Sequence, residues 1–375
     1  MTSLPQETTS QTHWMKHIKE EFSRAIVNNA YLGSYIEPMI QNFQPHWSIS
    51  GYRACVVTRR DENKHVFSIT LKPSRNWPGF CAGQFIEIYT EQNGRRLTRC
   101  FSISSSPSSF AKHGTIELTI RIQENGRVTP ALHQDLKAGQ FLGISEAQGD
   151  FVLPETPSPL LLVAGGSGIT PFRSILEEMS HQKTAPDTTL LYYSQDQGSH
   201  LFKQEFEQLA NQHSNINIVC ISTKDAGRFH IDHLLQHCPD YTNRAIYICG
   251  PTGMIQSVNK TLLDTGMDDA QIHFEYFGAA PIEGVDTNTN GRVLFSKSTK
   301  SVASTPGKPE SILTLAEQSG VNPKSGCKMG LCGQCQCTKT SGVVFNTKTG
   351  LTSDTGKESI KLCISVAVGD VTIDL

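Results

Sequence analysis

The sequence predicts a multi-domain chain: an antiparallel six-stranded β-barrel, a doubly wound α/β domain and a small C-terminal module of strands around a cysteine cluster, behind an N-terminal helical extension. Three observations carry that reading. Residues 51–155 break into short strand-like runs parted by Gly, Pro and Asn turns. Residues 156–280 alternate apolar strand-like and helical segments. Near the C-terminus, SGCKMGLCGQCQC (325–337) sets four cysteines within eleven residues. At 375 residues the chain is too long for one ordinary core.

Composition narrows the function classes. The chain is 37% apolar and 18% charged, with 33 Lys and Arg against 35 Asp and Glu. No global field recruits nucleic acid or an anionic membrane, although a local patch stays open. The start, MTSLPQETTSQTHW, lacks the basic and apolar regions of a secretory signal. No apolar run approaches the ~20 residues that span a bilayer, so a cytoplasmic protein without a transmembrane segment is expected. Cys55, Cys81, Cys100, Cys220, Cys238, Cys249 and Cys337 are scattered without paired spacing, which suits a reducing compartment.

The elements follow in order. In residues 1–50, Trp14, Ile18, Phe22 and Ile26 recur every four residues and predict an amphipathic helix. That stripe packs on the next domain or docks on a partner or membrane; mixed charges on its polar face weaken the membrane case. Residues 51–155 supply RACVVTRR, HVFSITLK, QFIEIYT, CFSISSSP, TIELTIRI and QFLGIS, with one helical piece at ALHQDL. A six-stranded barrel accommodates them. Residues 156–280 open with PLLLVAGGSGITPFRSILEEM: strand, glycine loop, helix. Thr170 is expected at the N-cap and Pro171 at the first helical position. The loop is not G-x-G-x-x-G, and alone it reads equally as plain architecture. AIYICGPTGMIQSV (245–258) repeats the arrangement, with TLLYYS, FKQEFEQLA and NINIVCIS between. A parallel sheet with ligands at the carboxyl ends of its strands follows. Residues 281–290 belong to a polar linker, AAPIEGVDTNTN (279–290).

In residues 291–375, Cys327, Cys332 and Cys335 stand as C-x4-C-x2-C, and Cys363 follows 27 residues later. That is the plant-type [2Fe-2S] ferredoxin pattern: a short loop wraps one side of two irons and a distant strand supplies the fourth thiolate. A zinc site prefers two C-x2-C knuckles, and here there is one. Cys337 remains an alternative ligand by proximity. Strands at about 291–305, a helix in PESILTLAEQSG, and strands at Gly342–Phe345 and Val371–Ile373 make a β-grasp module.

Taken together, the chain resembles the ferredoxin–NADP reductase superfamily with a fused C-terminal plant-type [2Fe-2S] ferredoxin domain. The resemblance covers about 51–375. It implies that Arg99, Cys100, Phe101 and Ser102 are the flavin motif R-x-[YF]-[ST]. Arg99 would pair with the FAD pyrophosphate, Phe101 pack on the ring, and Ser102 bond near the reacting nitrogen. It further implies Gly126, Arg127, Val128 and Thr129 near the pyrophosphate. Gly165, Gly166, Gly168, Thr170 and Pro171 would form the nicotinamide-dinucleotide loop, and Cys249, Gly250 and Pro251 its partner. Thr170 and Cys249 would line the hydride path, with Glu275 and Phe277 near the flavin.

The implied activity is electron transfer from NAD(P)H through FAD to the cluster, then to an oxygenase, a fatty-acid desaturase or a hybrid-cluster-type protein. NADH and NADPH stay open, since Asp196 favours one and Lys203 and Arg228 the other. The rivals are a self-contained flavin or quinone reductase and a zinc-stapled scaffold without catalysis.

Overall fold

The computed structural model describes residues 37, 39–48, 51–92, 95–124, 126, 128–154, 158–181, 185–277, 291–304 and 309–375. The helix expected around Trp14–Ile26, the linker 281–290 and Arg127 lie outside them.

Alternating apolar residues build the first unit. Strands β1 (Tyr52–Asn63), β2 (Val66–Pro73), β3 (Phe85–Gln92), β4 (Arg95–Ser102), β5 (Ile116–Arg121) and β6 (Phe141–Ile144) form an antiparallel sheet ordered β4-β3-β6-β1-β2-β5. A bridge between Ile103 and Leu118 joins the two outer strands and closes the barrel. Phe67, Ile69 and Leu71 on β2, with Ile116, Leu118 and Ile120 on β5, alternate into one core. One short helix was not foreseen. Helix α1 (Pro107–His113) is capped by Ser106, whose hydroxyl accepts from Ser109 N, so the serines of CFSISSSP end as a helix cap rather than a strand. Helix α2 (Val128–Asp135) contains the expected helical piece ALHQDL except its last residue, Leu136.

In the second unit, β7 (Leu160–Gly165), β8 (Thr188–Ser194), β9 (Ile216–Ser222), β10 (Ala245–Gly250) and β11 (Ile272–Tyr276) run parallel in the order β11-β10-β7-β8-β9. Strand β7 is apolar on both faces because helices cover both. Leu160, Leu162 and Ala164 join one core with Phe172 and Ile175 of α3 (Ile169–Ser180). Leu161 and Val163 join the other with Ile255 and Val258 of α6 (Thr252–Asp264). Helices α4 (Lys203–Gln212) and α5 (Ile231–His237) complete the winding. Strand order reverses between β7 and β10, so the glycine loops after these two strands flank one crevice.

The helix start differs from expectation. Gly166–Gly168 forms a single 3-10 turn that runs directly into α3, so Gly168 is the N-cap, and Thr170 and Pro171 lie inside the first turn. Thr170 Oγ1 instead donates to Ser167 O at 3.0 Å.

Helix α3 fastens this sheet to the barrel. Ser174 Oγ donates to Ser105 O at 2.7 Å, while Glu177 and Glu178 accept from Ser106 N and Ser108 N at 2.8 Å each. Arg173 pairs with Glu117 at 2.6 Å, and Phe172 meets Phe151 with ring centroids 5.6 Å apart.

The third unit contains β12 (Arg292–Phe295), β13 (Lys300–Ala303), α7 (Ile312–Gln318), β14 (Gln336–Asn346), β15 (Glu358–Lys361) and β16 (Ser365–Ile373). Its sheet runs β13-β12-β16-β14-β15, with β12 parallel to β16 and the other pairs antiparallel. Helix α7 lays Ile312, Leu315 and Ala316 into its core, the expected β-grasp arrangement.

Candidate functional site

A cleft of ≈ 1080 Å³, open to solvent, lies where the three units meet. The end of β4 brings Arg99, Cys100, Phe101 and Ser102 to its wall. The start of α2 adds Val128 and Thr129, with Gly126 just before it. The nucleotide sheet contributes Ser167, Thr170, Glu275 and Phe277, and the cysteine loop contributes Cys327 and Met329. Residues from positions 85 to 329 thus converge on one space.

The chemistry of this wall is mixed. Arg99 and Arg121 bring positive charge, Phe101 and the half-exposed Phe277 bring flat apolar faces, and Ser102, Thr129 and Thr170 bring hydroxyls. Glu275 is the exception. Its Oε2 is shielded from solvent and has no hydrogen-bond partner, and burial pushes its carboxyl up to about 8. Cationic, aromatic and hydroxyl groups with one shielded carboxyl fit a flat heteroaromatic ring carrying a pyrophosphate.

A second cleft of ≈ 1070 Å³ adjoins the first. Arg121 lines both; Gly165 and Gly166 line the second, while Ser167 and Thr170, one turn on, line the first. The rest of its wall includes Ser194, Thr223, Arg228, Pro251 and Ser257. The close crossing behind it requires glycine. A Cβ on Gly168 would stand 2.2 Å from Cys249 O, and one on Gly250 only 2.9 Å from Met254 Cε. The expected loop residues therefore divide: Gly165, Gly166 and Pro251 face the cleft, whereas Gly168, Pro171 and Gly250 form the packing behind it.

Cys249 departs from its expected place on the hydride path. It is fully buried at the apolar end of β10, its side chain lines neither cleft, and burial holds its thiol well above the usual range. What reaches the glycine loop is its backbone carbonyl.

The basic and acidic candidates for nucleotide choice also separate. Arg228 lines the second cleft. Asp196 is occupied by Ser199 Oγ at 2.6 Å and Lys224 Nζ at 3.3 Å, and Lys203 lies 3.9 Å from Glu207.

Cys327, Cys332, Cys335 and Cys363 come together as two pairs. Cys335 Sγ and Cys363 Sγ are 3.2 Å apart, and Cys332 Sγ lies 3.4 Å from Cys327 N, whose own Sγ is 3.4 Å from Cys332 N. Among the described residues no three His, Cys, Asp or Glu side chains converge as on a single ion. Two pairs suit two irons, each taking two thiolates.

The loop aims its backbone at these sulfurs. Lys328 (φ 58°) and Gly330 (φ 73°) turn left-handed, and Met329 N, Leu331 N and Cys332 N approach Cys327 Sγ at 3.3–3.4 Å. Gly330 N approaches Cys363 Sγ at 3.2 Å. Such a nest of N–H groups holds anionic sulfur. Hydrogen bonds from Cys100 and Cys332, with those N–H groups, hold Cys327 well below the usual thiol range, and a bond from Cys363 draws Cys335 down to about 7. A side chain on Gly330 would collide with Ile364, 2.6 Å away. Cys337 turns elsewhere, with its Sγ 3.5 Å from Asp374 O.

Sequence reasoning missed Arg121, Gln123 and the pair Glu87 and Gln334, which joins the barrel to the cysteine loop. Arg121 ends a strand just before ENGRVTPAL, a placement that could have drawn notice; nothing local marks Glu87.

Comparison with known proteins agrees with this geometry. Residues 56–153 match the oxidoreductase FAD-binding domain, 162–260 the oxidoreductase NAD-binding domain, and 298–368 the 2Fe-2S iron-sulfur cluster binding domain. An NADPH oxidoreductase of Mycobacterium tuberculosis is 28% identical over 333 residues, covering 88% of this chain and 86% of that protein. The glycine betaine monooxygenase reductase subunit of Pseudomonas aeruginosa is 29% identical over 326 residues, covering 79% and 87%. The structure of phthalate dioxygenase reductase, 23% identical, shares the fold with a TM-score of 0.59 over 86% of this chain and 97% of that one. With all three domains present in order, the chain belongs to the ferredoxin–NADP reductase superfamily, as a member with a fused C-terminal [2Fe-2S] domain that passes electrons from NAD(P)H through FAD to the cluster.

Proposed function

We infer that this reductase takes its electrons from NADPH and delivers them singly to a terminal oxygenase in the cytoplasm. The observation that carries the reading is that Cys327 and Met329 of the cluster loop line the same cleft as Arg99–Ser102. Donor and acceptor sites then need no mobile carrier between them.

In this reading Arg99, with Gly126, Val128 and Thr129 at the start of α2, receives the FAD pyrophosphate. Phe101 and Phe277 cover the ring and exclude water, and Ser102 holds a hydrogen bond at its reacting edge. Bound FAD would supply the conversion of one hydride into two single electrons and a proton released to solvent. Thr170 and the glycines Gly165 and Gly166 seat the nicotinamide end of the donor, while Glu275 keeps a proton at its shielded carboxyl near neutral pH. Cys249, Gly250, Gly168 and Pro171 keep the two loops in contact from behind. Cys327, Cys332, Cys335 and Cys363 hold the irons. Arg228, beside Ser194 and Thr223, suits a 2′-phosphate, which favours NADPH. One relative is named an NADPH oxidoreductase.

The acceptor class is supported by relatives named as reductase subunits of a glycine betaine monooxygenase and a stachydrine N-demethylase. The cytoplasmic placement is supported by eleven cysteines free of disulfides. The test is anaerobic titration with NADPH, followed by turnover of a purified oxygenase with and without the chain. Flavin reduction that leaves the cluster oxidised, or oxygenase turnover indifferent to the chain, defeats the reading.

A further inference from the structure

Gln334 stands between Cys332 and Cys335, where an amide side chain has no ligand role. It reaches instead into the barrel. Its Nε2 donates to Glu87 Oε2 at 3.3 Å, and its Oε1 accepts from Thr98 Oγ1 at 3.4 Å. Both partners are buried, at 3% and 1% exposure. They sit on β3 and β4, and β4 ends in the flavin motif. Cys100 lies directly across that ladder from Glu87 and contacts Cys327. The stem of Gln334 rests on the cluster loop, since a Cβ on Gly326 would come within 3.4 Å of its Cδ.

Glu87 is otherwise poorly provided for. Tyr89 OH donates to the same Oε2 at 2.9 Å, and Oε1 is buried without a hydrogen-bond partner. A carboxylate placed so deep is costly unless something donates to it. Of the two side-chain donors it has, one comes from the barrel and the other from the ferredoxin module. The two contacts of Gln334 are at the long end of hydrogen bonding, so they order a pose without welding it.

We propose that Gln334 is a positioning residue, a clasp that docks the cluster loop on the flavin barrel by bridging Glu87 and Thr98 and so sets the flavin-to-cluster distance. This rests on the electron path stated above. Gln334 touches neither nucleotide cleft, and its effect is confined to the step between the two centres.

The experiment compares Gln334→Glu, Gln334→Ala and the pair Glu87→Gln/Gln334→Glu as holoproteins, with iron and flavin content measured first. Stopped-flow absorbance separates flavin reduction by NADPH from bleaching of the cluster, and hydrogen exchange reports protection of residues 95–102. Gln334→Glu sets two carboxylates face to face, and cluster reduction slows at least about tenfold while flavin reduction is unchanged. Gln334→Ala slows it less, and both single variants lose protection at 95–102. The pair restores an amide–carboxylate contact and recovers most of the rate and protection. Cluster reduction within about twofold of wild type in Gln334→Glu, or a pair no faster than that single variant, overturns the clasp. Wild-type protein that carries flavin and iron yet passes no electrons between them would instead sink the underlying path.

Discussion

Glu275 on β11 pairs in register with Cys249 on β10, so a shielded carboxyl stands beside a fully buried thiol at the wall of the cleft. The consequence for pH has a definite sign. Burial raises the folded carboxyl from 4.5 to about 8. Its favourable neutral form is fully present below the unfolded value, and the stability it contributes is lost as pH rises from about 4.5 to about 8. Glu275→Gln removes this dependence. The variant gains stability over wild type on the order of a few kcal/mol at pH 8.5 and little at pH 4.5. Denaturant unfolding at the two pH values reads the difference, and equal differences at both would refute the assignment.

Arg99→Ala weakens FAD binding by about 10- to 100-fold, the worth of charge-assisted hydrogen bonds to phosphate. Arg99→Lys falls between, because an ammonium keeps the charge but loses the planar fork. Fluorescence titration of the apoprotein with FAD provides the measurement. The Cys327 and Cys332 pair is untouched, so iron content stays at the wild-type level.

Cys332→Ser abolishes the cluster absorbance and its iron while FAD remains bound. Cys337→Ser retains both, because its thiol points to Asp374 O rather than to the other sulfurs. Iron analysis with the visible spectrum decides the pair, and iron loss from Cys337→Ser would reassign the fourth ligand.

Arg228→Ala lowers kcat/KM for NADPH by about tenfold or more and leaves that for NADH nearly unchanged, since one charge-assisted contact to a phosphate is removed. Steady-state ferricyanide reduction with each donor tests it. Equal losses with both donors would place Arg228 on a part common to the two nucleotides.

Lys339 offers a stability test far from the clefts. It is fully buried on β14, and its ammonium donates to Gly342 O at 2.8 Å, Asp354 O at 2.7 Å and Gly356 O. One cation therefore ties down the loop between β14 and β15. Lys339→Met leaves those carbonyls without it and destabilises the ferredoxin module by about 2–4 kcal/mol. Thermal loss of the cluster chromophore moves to lower temperature, while release of flavin fluorescence does not move.

Much of this molecule is local and therefore legible in its residues. Period-two alternation in HVFSITLK and TIELTIRI is enough to make barrel strands, because each such strand buries one face. The alternating β and α segments specify a parallel sheet with loops at its carboxyl ends, and C-x4-C-x2-C with a distant Cys363 specifies two pairs of thiolates. Apart from the distant Cys363, each such pattern is built from short runs of neighbouring residues. Thr170 marks the limit even locally: a threonine before a proline suits a cap, yet a 3-10 turn through Gly166–Gly168 moved the helix start two residues upstream.

Packing between distant segments decided the rest. No spacing rule foretells that Cys249, at the end of an apolar strand, turns inward while its carbonyl meets Gly168. None pairs Gln334 with Glu87, 247 positions away. Burial and contact across that separation are properties of the closed assembly, set by how three cores fit together. Sequence alone could name the cofactors; only the packed chain determined that the cluster loop and the flavin strand share a wall.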